Sequence, residues 1–276
     1  MAMSDINLQS EISSLKTFDQ DTIDSIIAEV LRAKILWIEE YGEYQSGGWS
    51  TAAIYNLSGN PNEVVIRDGT GIATSTLITQ MPFTKKFIEG LNLNIMYARI
   101  ARLSANSFLW EHVDYSELND SKRYRLHIPL TTNRSALFVT GGQALTLDKG
   151  GMWLLEPITP HGVCNLYGPE RLHLIIDCYE NEILSQLMNN RPPQVTVPKQ
   201  LPLIDDLVLK TSLSHSKKLI ELGFMKAAEY NLLKLFFRYT MLPGKSYDLI
   251  NKMYEDIEEY DKSALWASKK KKMLNC

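Results

Sequence analysis

Short β-prone segments, separated by turn sequences, occupy most of the chain between Gly47 and residue 178. Clusters such as SGNPN and RDGTG separate them, and the glycine pairs at 141–142 and 150–151 are typical of hairpin turns. The segments cover residues 49–57, 63–67, 94–103, 108–115, 123–130, 135–139, 143–147, 152–155 and 171–178. Many short strands joined by turns favour a β-sandwich or barrel over an alternating strand-helix chain. The sequence therefore predicts a mainly β fold with flanking helices.

Helical patterns lie on both sides of this β region. Apolar residues recur at helical spacing from Ile23 to Leu31, directly after the cap sequence FDQD, and a short helix is expected from Pro82 to Leu91. A second amphipathic stretch near the C-terminus covers residues 247–266. An apolar helical face just before it consists of Leu232, Leu233, Phe236, Phe237 and Tyr239.

A proline-rich stretch divides the chain. Four prolines stiffen an extended linker: Pro192, Pro193, Pro198 and Pro202. We expect one unit of residues 1–188, which includes the N-terminal helix, and a region of residues 189–276 that contains the linker and the C-terminal helices. Those helices are expected to cover one side of the sheet, and the alternatives are a homodimer contact or a lid over the site.

The composition narrows the class of partner. The 276 residues are 45% hydrophobic and carry a formal net charge of -3, which gives no reason to expect nucleic acid as the main partner. The run Lys269–Lys272 is expected to be solvated. The three cysteines form neither a disulfide framework nor a metal motif, and no signal sequence or membrane-spanning run is present. These features predict a cytoplasmic protein that binds a small molecule or a protein, with no membrane contact.

The stretch WEHVDY contains a candidate metal motif. His112 and Asp114 are two residues apart on a predicted strand, so their side chains project from the same face. A later histidine, His161 in EPITPHGVCN, can return beside them in a closed β-sandwich. Two imidazoles and one carboxylate leave three positions open on an octahedral ion, which is typical of non-haem iron(II). A zinc hydrolase with similar ligands, or a surface strand with two polar residues, would be the alternative.

The three-residue pattern RLH occurs in two predicted strands. Strand alternation places Arg125 and His127 on one face, and Arg171 and His173 on one face of the other strand. A guanidinium can hold a carboxylate through two parallel hydrogen bonds, or it can pair with an aspartate or glutamate of the protein. Trp153 is a further candidate for the pocket wall, although core packing is the favoured role for this side chain. His215 is expected at the surface.

The order of HVDY, RLHIPLTTN, GGMWLL, PHGVCN and RLHLIIDCY resembles the aspartyl/asparaginyl β-hydroxylase group of Fe(II)/2-oxoglutarate oxygenases. Within that group the sequence is most similar to bacterial L-proline cis-hydroxylases. The segments YARIARLS, GGWSTAAIYNLSG and KLFFRYTML extend the resemblance over most of the chain. The fold implied is a double-stranded β-helix, or jelly-roll, with a C-terminal helical region.

The resemblance also implies roles for individual residues. His112, Asp114 and His161 would ligate iron, and Arg171 would hold the distal carboxylate of 2-oxoglutarate. His127 would lie beside the co-substrate or the substrate. The candidates for contact with the substrate are Arg125, Arg102 and Trp153.

The implied reaction is hydroxylation of an unactivated C–H bond in an amino acid or an amino-acid-derived small molecule, with proline-like molecules as candidates. Dioxygen is consumed, succinate and CO₂ are released, and ascorbate serves as the reductant in vitro. Loops such as SELNDSKR and TTNRSALFVTGG are expected to shape the pocket. A non-catalytic jelly-roll binding protein and a cupin-type zinc hydrolase or isomerase are the alternatives.

Overall fold

Two antiparallel β-sheets face each other in the computed structural model, which describes residues 12–40, 42–69, 71–114, 123–155, 159–193 and 196–275. The strands are β1 (Ile12–Thr17), β2 (Trp49–Asn56), β3 (Ala73–Thr74), β4 (Asn94–Leu103), β5 (Ser107–His112), β6 (Arg123–Thr131), β7 (Ala136–Thr140), β8 (Gln143–Leu145), β9 (Gly151–Leu155), β10 (His161–Asn165), β11 (Arg171–Tyr179) and β12 (Lys199–Gln200). The major sheet has the order β1-β9-β6-β11-β4-β2-β3, and the minor sheet has the order β12-β8-β7-β10-β5. The predicted jelly-roll fold is confirmed.

Helices cover the outer faces of both sheets. They are α1 (Gln20–Arg32), α2 (Pro82–Gly90), α3 (Glu182–Asn189), α4 (Asp206–Glu221), α5 (Met225–Leu233), α6 (Lys245–Glu255) and α7 (Tyr260–Leu274), with short 3-10 segments at Thr76–Gln80 and Lys234–Phe237. None of these helices is long and apolar enough to cross a membrane.

The first helix begins where the sequence predicts it. The carboxylate of Asp19 accepts a hydrogen bond from the backbone N–H of Thr22 at 2.8 Å, which caps the N-terminus of α1. Buried Ile23, Ile26 and Val30 then face the major sheet. Their partners are the outward-facing apolar residues of β6 and β11: Leu126, Ile128, Leu130, Leu172, Leu174 and Ile176. The alternation predicted for the two RLH strands is therefore confirmed, and their polar residues point into the space between the sheets.

The C-terminal helices share one apolar core with the minor sheet. Trp110 of β5 packs against Tyr230 and Trp266, with ring centroids 6.3 and 6.2 Å apart respectively. Phe236 and Phe237 lie so close to Gly162 of β10 that a Cβ atom at this position would be crowded by both rings. Covering one side of a sheet is thus what these helices do. The homodimer contact and the boundary at residue 188 stay predictions.

Some elements differ from the sequence prediction. Residues 63–67 form no strand because their backbone bonds to side chains: the Asn56 amide donates to the carbonyl of Glu63 at 3.0 Å, and the Tyr97 hydroxyl donates to that of Val64, also at 3.0 Å. Residues 247–266 form parts of two helices, which separate near Glu258, where the backbone has a positive φ of 62°. Strands β1 and β10 and helix α4 were not predicted.

Parts of some predicted features lie outside the described residues. They are the end of the 108–115 segment, most of the SELNDSKR loop, the start of EPITPHGVCN and the last cysteine, Cys276.

Candidate metal and co-substrate site

The three predicted metal ligands come together between the sheets. Neighbouring strands β5 and β10 place His112 directly opposite His161, and Asp114 follows two residues after His112. The candidate ligand atoms of these three buried residues all lie within 4.8 Å of one another. No other group of this kind occurs among the described residues. The convergence expected from the sequence is therefore present.

Both imidazoles are oriented by backbone carbonyls. Nδ1 of His112 lies 2.8 Å from the carbonyl of Trp110, and Nδ1 of His161 lies 2.7 Å from that of Thr159. A carbonyl can only accept, so each Nδ1 carries the proton and each Nε2 has a free lone pair. Burial is the main reason that the pKa of His112 falls to about 4, which keeps this ring neutral and able to bind a metal ion.

The carboxylate of Asp114 faces both Nε2 atoms. Oδ1 lies 3.7 Å from Nε2 of His112, and Oδ2 lies 4.0 Å from Nε2 of His161. These separations are too long for hydrogen bonds and leave room for an ion between the three groups. Burial raises the pKa of Asp114, but the positive charge of Arg125 and the other cationic neighbours outweigh burial and hold the pKa below its usual range. The donor set thus fits a divalent cation.

The strand that carries His112 is held from its outer face by the C-terminal helices. The backbone N–H of Val113 donates to the carbonyl of Met273 at 2.7 Å. The N–H of Gly244 donates to the carboxylate of Glu111 at 2.9 Å, and the Tyr247 hydroxyl donates to the carbonyl of Glu111. Residues on both sides of His112 are therefore fixed in place from behind the minor sheet.

A pocket of about 510 Å³ opens beside the three ligands. Its wall includes Arg171, whose buried Nε and Nη2 atoms have no hydrogen-bond partner among the described residues. The guanidinium lies 5.8 Å from the ring centroid of Trp49, and burial lowers its pKa to about 10. Because a buried cation without a counter-ion is costly, this arrangement favours an anionic ligand beside Arg171.

A second, deeper pocket of about 300 Å³ continues from the first. His127, Leu155, Val163 and Arg171 line both pockets, and His173 lines only the deeper one. Nδ1 of His127 lies 3.2 Å from Nδ1 of His173, and the Nε2 atoms of both rings have no partner among the described residues. The space thus runs from the metal ligands to Arg171 and the two histidines.

Arg125 is engaged by protein carboxylates. Its Nε donates to Oδ1 of Asp177 at 2.7 Å, and its Nη1 donates to Oδ2 of Asp114. Strand β6 places Arg125 directly opposite Asp177 on β11. Arg125 lines the pocket, but its guanidinium already pairs with two buried carboxylates. Its predicted contact with the substrate stays a prediction.

Arg102 lies outside the pocket, contrary to the expected substrate contact. It projects from the outer face of β4, donates to the Ser50 hydroxyl at 2.6 Å and stacks over Trp37 at 4.5 Å. The inner-facing arginine of that strand is Arg99, three residues earlier, which is buried and lines the pocket. Strand alternation is the physical reason, because residues three apart on a strand project to opposite faces. The segment YARIARLS contains both arginines, and the sequence prediction selected Arg102 instead of Arg99.

Two aromatic side chains, Trp153 and Tyr44, lie next to histidines of the site. Trp153 is adjacent to His127 across strands β6 and β9 but packs in an apolar cluster with Phe138 and Leu147, so core packing is its observed role. Tyr44 stacks on His112 with ring centroids 4.6 Å apart. No sequence pattern indicated Tyr44, since it lies in a stretch without strand or helix periodicity.

The fold and the site define a jelly-roll protein with a buried His-Asp-His set of candidate metal ligands. The model of the aspartyl/asparaginyl β-hydroxylase family matches residues 19–181, and the chain belongs to this family. The predicted class of enzyme, a hydroxylase of this group, is thereby confirmed. The two alternatives, a non-catalytic binding protein and a zinc hydrolase or isomerase, receive no support from the match.

Two curated relatives and one solved structure are similar to parts of this chain. The chain is 25% identical over 220 residues to the L-proline cis-4-hydroxylase of Rhizobium meliloti, covering 77% of this chain and 78% of the relative. It is 22% identical over 231 residues to L-proline cis-3-hydroxylase 2 of a Streptomyces species, with 76% of each chain covered. A 2OG-Fe(II) oxygenase family oxidoreductase from Burkholderia pseudomallei aligns at 17% identity with a TM-score of 0.45, covering 66% of this chain and 92% of that one.

Proposed function

We propose that this protein is an iron(II)- and 2-oxoglutarate-dependent dioxygenase that hydroxylates a C–H bond of a free amino acid, with proline-like amino acids as the first candidates. His112, Asp114 and His161 hold the iron, and Arg171 holds the distal carboxylate of 2-oxoglutarate. The observation that carries this proposal is the buried guanidinium of Arg171, which shares one pocket with the three metal ligands and whose Nε and Nη2 have no hydrogen-bond partner in the described part of the chain.

The chemistry of the pocket matches a keto-diacid. One end of the space offers lone pairs of two neutral imidazoles and a carboxylate, which suit a divalent cation. The other end offers N–H groups of Arg171 that no other described residue accepts from, and these suit a carboxylate. A molecule with a metal-chelating group at one end and a carboxylate at the other fits both. Iron(II), when bound with 2-oxoglutarate and dioxygen, supplies the oxidising power that hydroxylates an unactivated C–H bond.

The protein contributes binding, orientation and exclusion of water. The backbone carbonyls of Trp110 and Thr159 fix the two imidazoles, and Arg125 fixes the carboxylate of Asp114. The pocket wall also contains apolar Leu109 and Val163, which limit the water near the metal. Orientation of the reacting C–H bond depends on the contacts that hold the amino-acid substrate.

The substrate carboxylate is assigned to Arg99. This buried side chain lies on β4 directly opposite Ile175, so it shares the inner face of the major sheet with the residues of the pocket. Arg125 pairs with the carboxylates of Asp114 and Asp177, and Arg99 is a further buried cation in the wall of the same pocket. The proline hydroxylase relatives make a cyclic amino acid the first substrate to test.

The test is a panel of amino acids incubated with purified protein, iron(II), ascorbate, dioxygen and 2-oxoglutarate. We expect one panel member to gain the mass of one oxygen atom, together with an equimolar amount of succinate. Conversion of 2-oxoglutarate to succinate without any hydroxylated amino acid would support the co-substrate assignment and exclude the tested amino acids as substrates. Absence of both succinate and 2-oxoglutarate binding would contradict the proposal.

A matched pair of arginine variants tests the role of Arg171. Arg171→Gln removes the charge that faces the pocket, and we expect the KM for 2-oxoglutarate to rise by about 100-fold. Arg102→Gln removes a charge from the outer face of the major sheet and should leave this KM within about 2-fold of the native value. Equal effects of the two substitutions would contradict the assignment of Arg171.

A further inference from the structure

Two buried histidines of the deeper pocket are in contact through equivalent ring atoms. Nδ1 of His127 on β6 lies 3.2 Å from Nδ1 of His173 on β11, and the rings meet edge to face with centroids 5.5 Å apart. Neither ring belongs to the metal cluster. We call these two residues the histidine pair.

The contact restricts where the protons of the histidine pair lie. A neutral imidazole carries one N–H, so a hydrogen bond between two Nδ1 atoms needs one ring with Nδ1–H and one ring with an Nδ1 lone pair. The first ring then has a bare Nε2, and the second has an Nε2–H. Burial, and then the nearby charge of Arg171, hold the pKa of both residues well below the usual value, which keeps the pair neutral. A neutral pair therefore presents one Nε2–H in total.

The position of His127 indicates which ring carries that donor. His127 lines both the pocket beside the metal ligands and the deeper pocket, whereas His173 lines only the deeper one. The two Nε2 atoms have no partner among the described residues, and Arg171, which lines both pockets, favours an anionic ligand there. An anionic oxygen accepts hydrogen bonds, so the ring nearest to it is stabilised as a donor.

We propose that His173 is a positioning residue whose Nδ1–H donates to Nδ1 of His127 and fixes His127 in the tautomer that donates its Nε2–H to a carboxylate oxygen of 2-oxoglutarate. This inference rests on the proposed function, since it concerns the same co-substrate. It assigns to His173 a role that the RLH pattern alone did not give, because the pattern shows only that the two strands present similar faces. His173 acts through His127 and does not touch the reacting atoms.

Nitrogen-15 NMR of the imidazole groups tests the proton positions directly. The chain has five histidines, so the spectrum of the full protein, loaded with zinc(II) and 2-oxoglutarate, contains few signals. We expect His127 to carry its proton on Nε2 and His173 to carry its proton on Nδ1. The variants His173→Asn and His215→Asn assign the signals, and the exposed His215 serves as the reference. The opposite tautomers would overturn the proposal.

Binding of 2-oxoglutarate to the zinc-loaded protein, measured by calorimetry, tests the consequence. His173→Leu removes the donor to His127, and we expect the dissociation constant to rise by about 10-fold. The amide nitrogen of asparagine lies at nearly the position of the histidine Nδ1, so His173→Asn should restore binding to within about 3-fold of native. Zinc affinity should be unchanged in both variants, since neither residue is a metal ligand.

The outcomes separate this inference from the proposed function. If the native protein and His173→Leu bind 2-oxoglutarate equally well, the role of His173 is overturned and the proposed function is unaffected. Native protein that does not bind 2-oxoglutarate overturns both. If His173→Leu fails to fold, the NMR spectrum of the native protein and the titration of His173→Asn still test the proposal. Tautomers other than those expected, or an affinity for 2-oxoglutarate that is about 10-fold weaker in His173→Asn, would overturn it.

Discussion

The inner face of the major sheet carries three buried arginines with different surroundings. Arg125 is held by Asp114 and Asp177, and Arg99 lines the same pocket. Nε and Nη2 of Arg171 have no hydrogen-bond partner within the segments that the structure describes. A buried guanidinium without a carboxylate costs stability, and a ligand carboxylate recovers that cost on binding. The protein thus compensates Arg125 internally and leaves Arg171 available to an anionic ligand.

Arg99 should control affinity for the amino-acid substrate. In Arg99→Gln we expect the KM for the amino acid to rise by about 30-fold, because a charge-assisted hydrogen bond to the substrate carboxylate is lost. The KM for 2-oxoglutarate should change by less than about 3-fold. Steady-state kinetics with each molecule varied in turn measure both values. If only the KM for 2-oxoglutarate rose, Arg99 would belong to the co-substrate site.

Asp177 should act mainly on stability. Asp177→Asn replaces the carboxylate that accepts from Nε of Arg125 with a neutral amide, while Arg125 keeps Asp114 as its counter-ion. Weakening this buried charge-assisted hydrogen bond should cost about 2 kcal/mol of unfolding free energy. Urea unfolding followed by circular dichroism measures the change. Glu170→Gln is the control, since Glu170 lies 3.8 Å from Arg102 at the surface, and its loss should cost less than about 1 kcal/mol. Similar losses for both would contradict a special role for the buried pair.

At the residue scale, alternation along strands was enough to predict which side chains face the pocket in β6 and β11. It was not enough for β4, where Arg99 and Arg102 are three residues apart and the sequence does not say which one faces inward. The pairing of Arg125 with Asp177 was also beyond prediction, because it depends on the register between β6 and β11. A sequence specifies periodicity within a strand more directly than alignment between strands.

At the scale of elements, strand β5 serves the metal site on one face and the C-terminal helices on the other. His112 points inward, while Glu111 and Val113 are held by Tyr247, Gly244 and Met273 on the outside. The predicted helical tail is therefore part of the support of the metal site. Helical periodicity indicated the apolar face of this tail, but the hydrogen bond from Val113 to the last turn of α7 has no sequence signature.

Shortening α7 should weaken metal binding. Removal of residues 273–276 deletes the carbonyl that accepts from the Val113 N–H, and it also removes the buried Met273 side chain. We expect the affinity for zinc(II), measured by calorimetry, to fall by about 10-fold or more, because the orientation of the flanking ligands depends on this contact. Removal of residues 275 and 276 alone retains Met273 and is the control. Native affinity in both truncated proteins would contradict support from α7.

At the scale of the whole molecule, one of the two largest apolar clusters of the described residues extends across the predicted boundary at residue 188. One cluster joins the outer face of the major sheet to α1 and α2 and contains Cys178. Another joins the minor sheet to the C-terminal helices and contains Cys164, together with Trp49 and Ile175 of the major sheet. Detaching the C-terminal region would expose the second cluster. Composition and proline content predict a linker, but they carry no information about what packs across it.

Thiol labelling can determine whether the two clusters unfold together. Burial raises the pKa of Cys164 and of Cys178 to about 12, so neither thiol should react with iodoacetamide at pH 8 in the folded protein. Because residues of both sheets share the cluster around Cys164, we expect the two cysteines to become reactive at the same urea concentration. Peptide mass spectrometry after a labelling pulse measures each site separately and distinguishes them from Cys276. Labelling of Cys164 at clearly lower urea would instead indicate that the minor sheet and its helices open as an independent unit, as the predicted boundary at residue 188 implies.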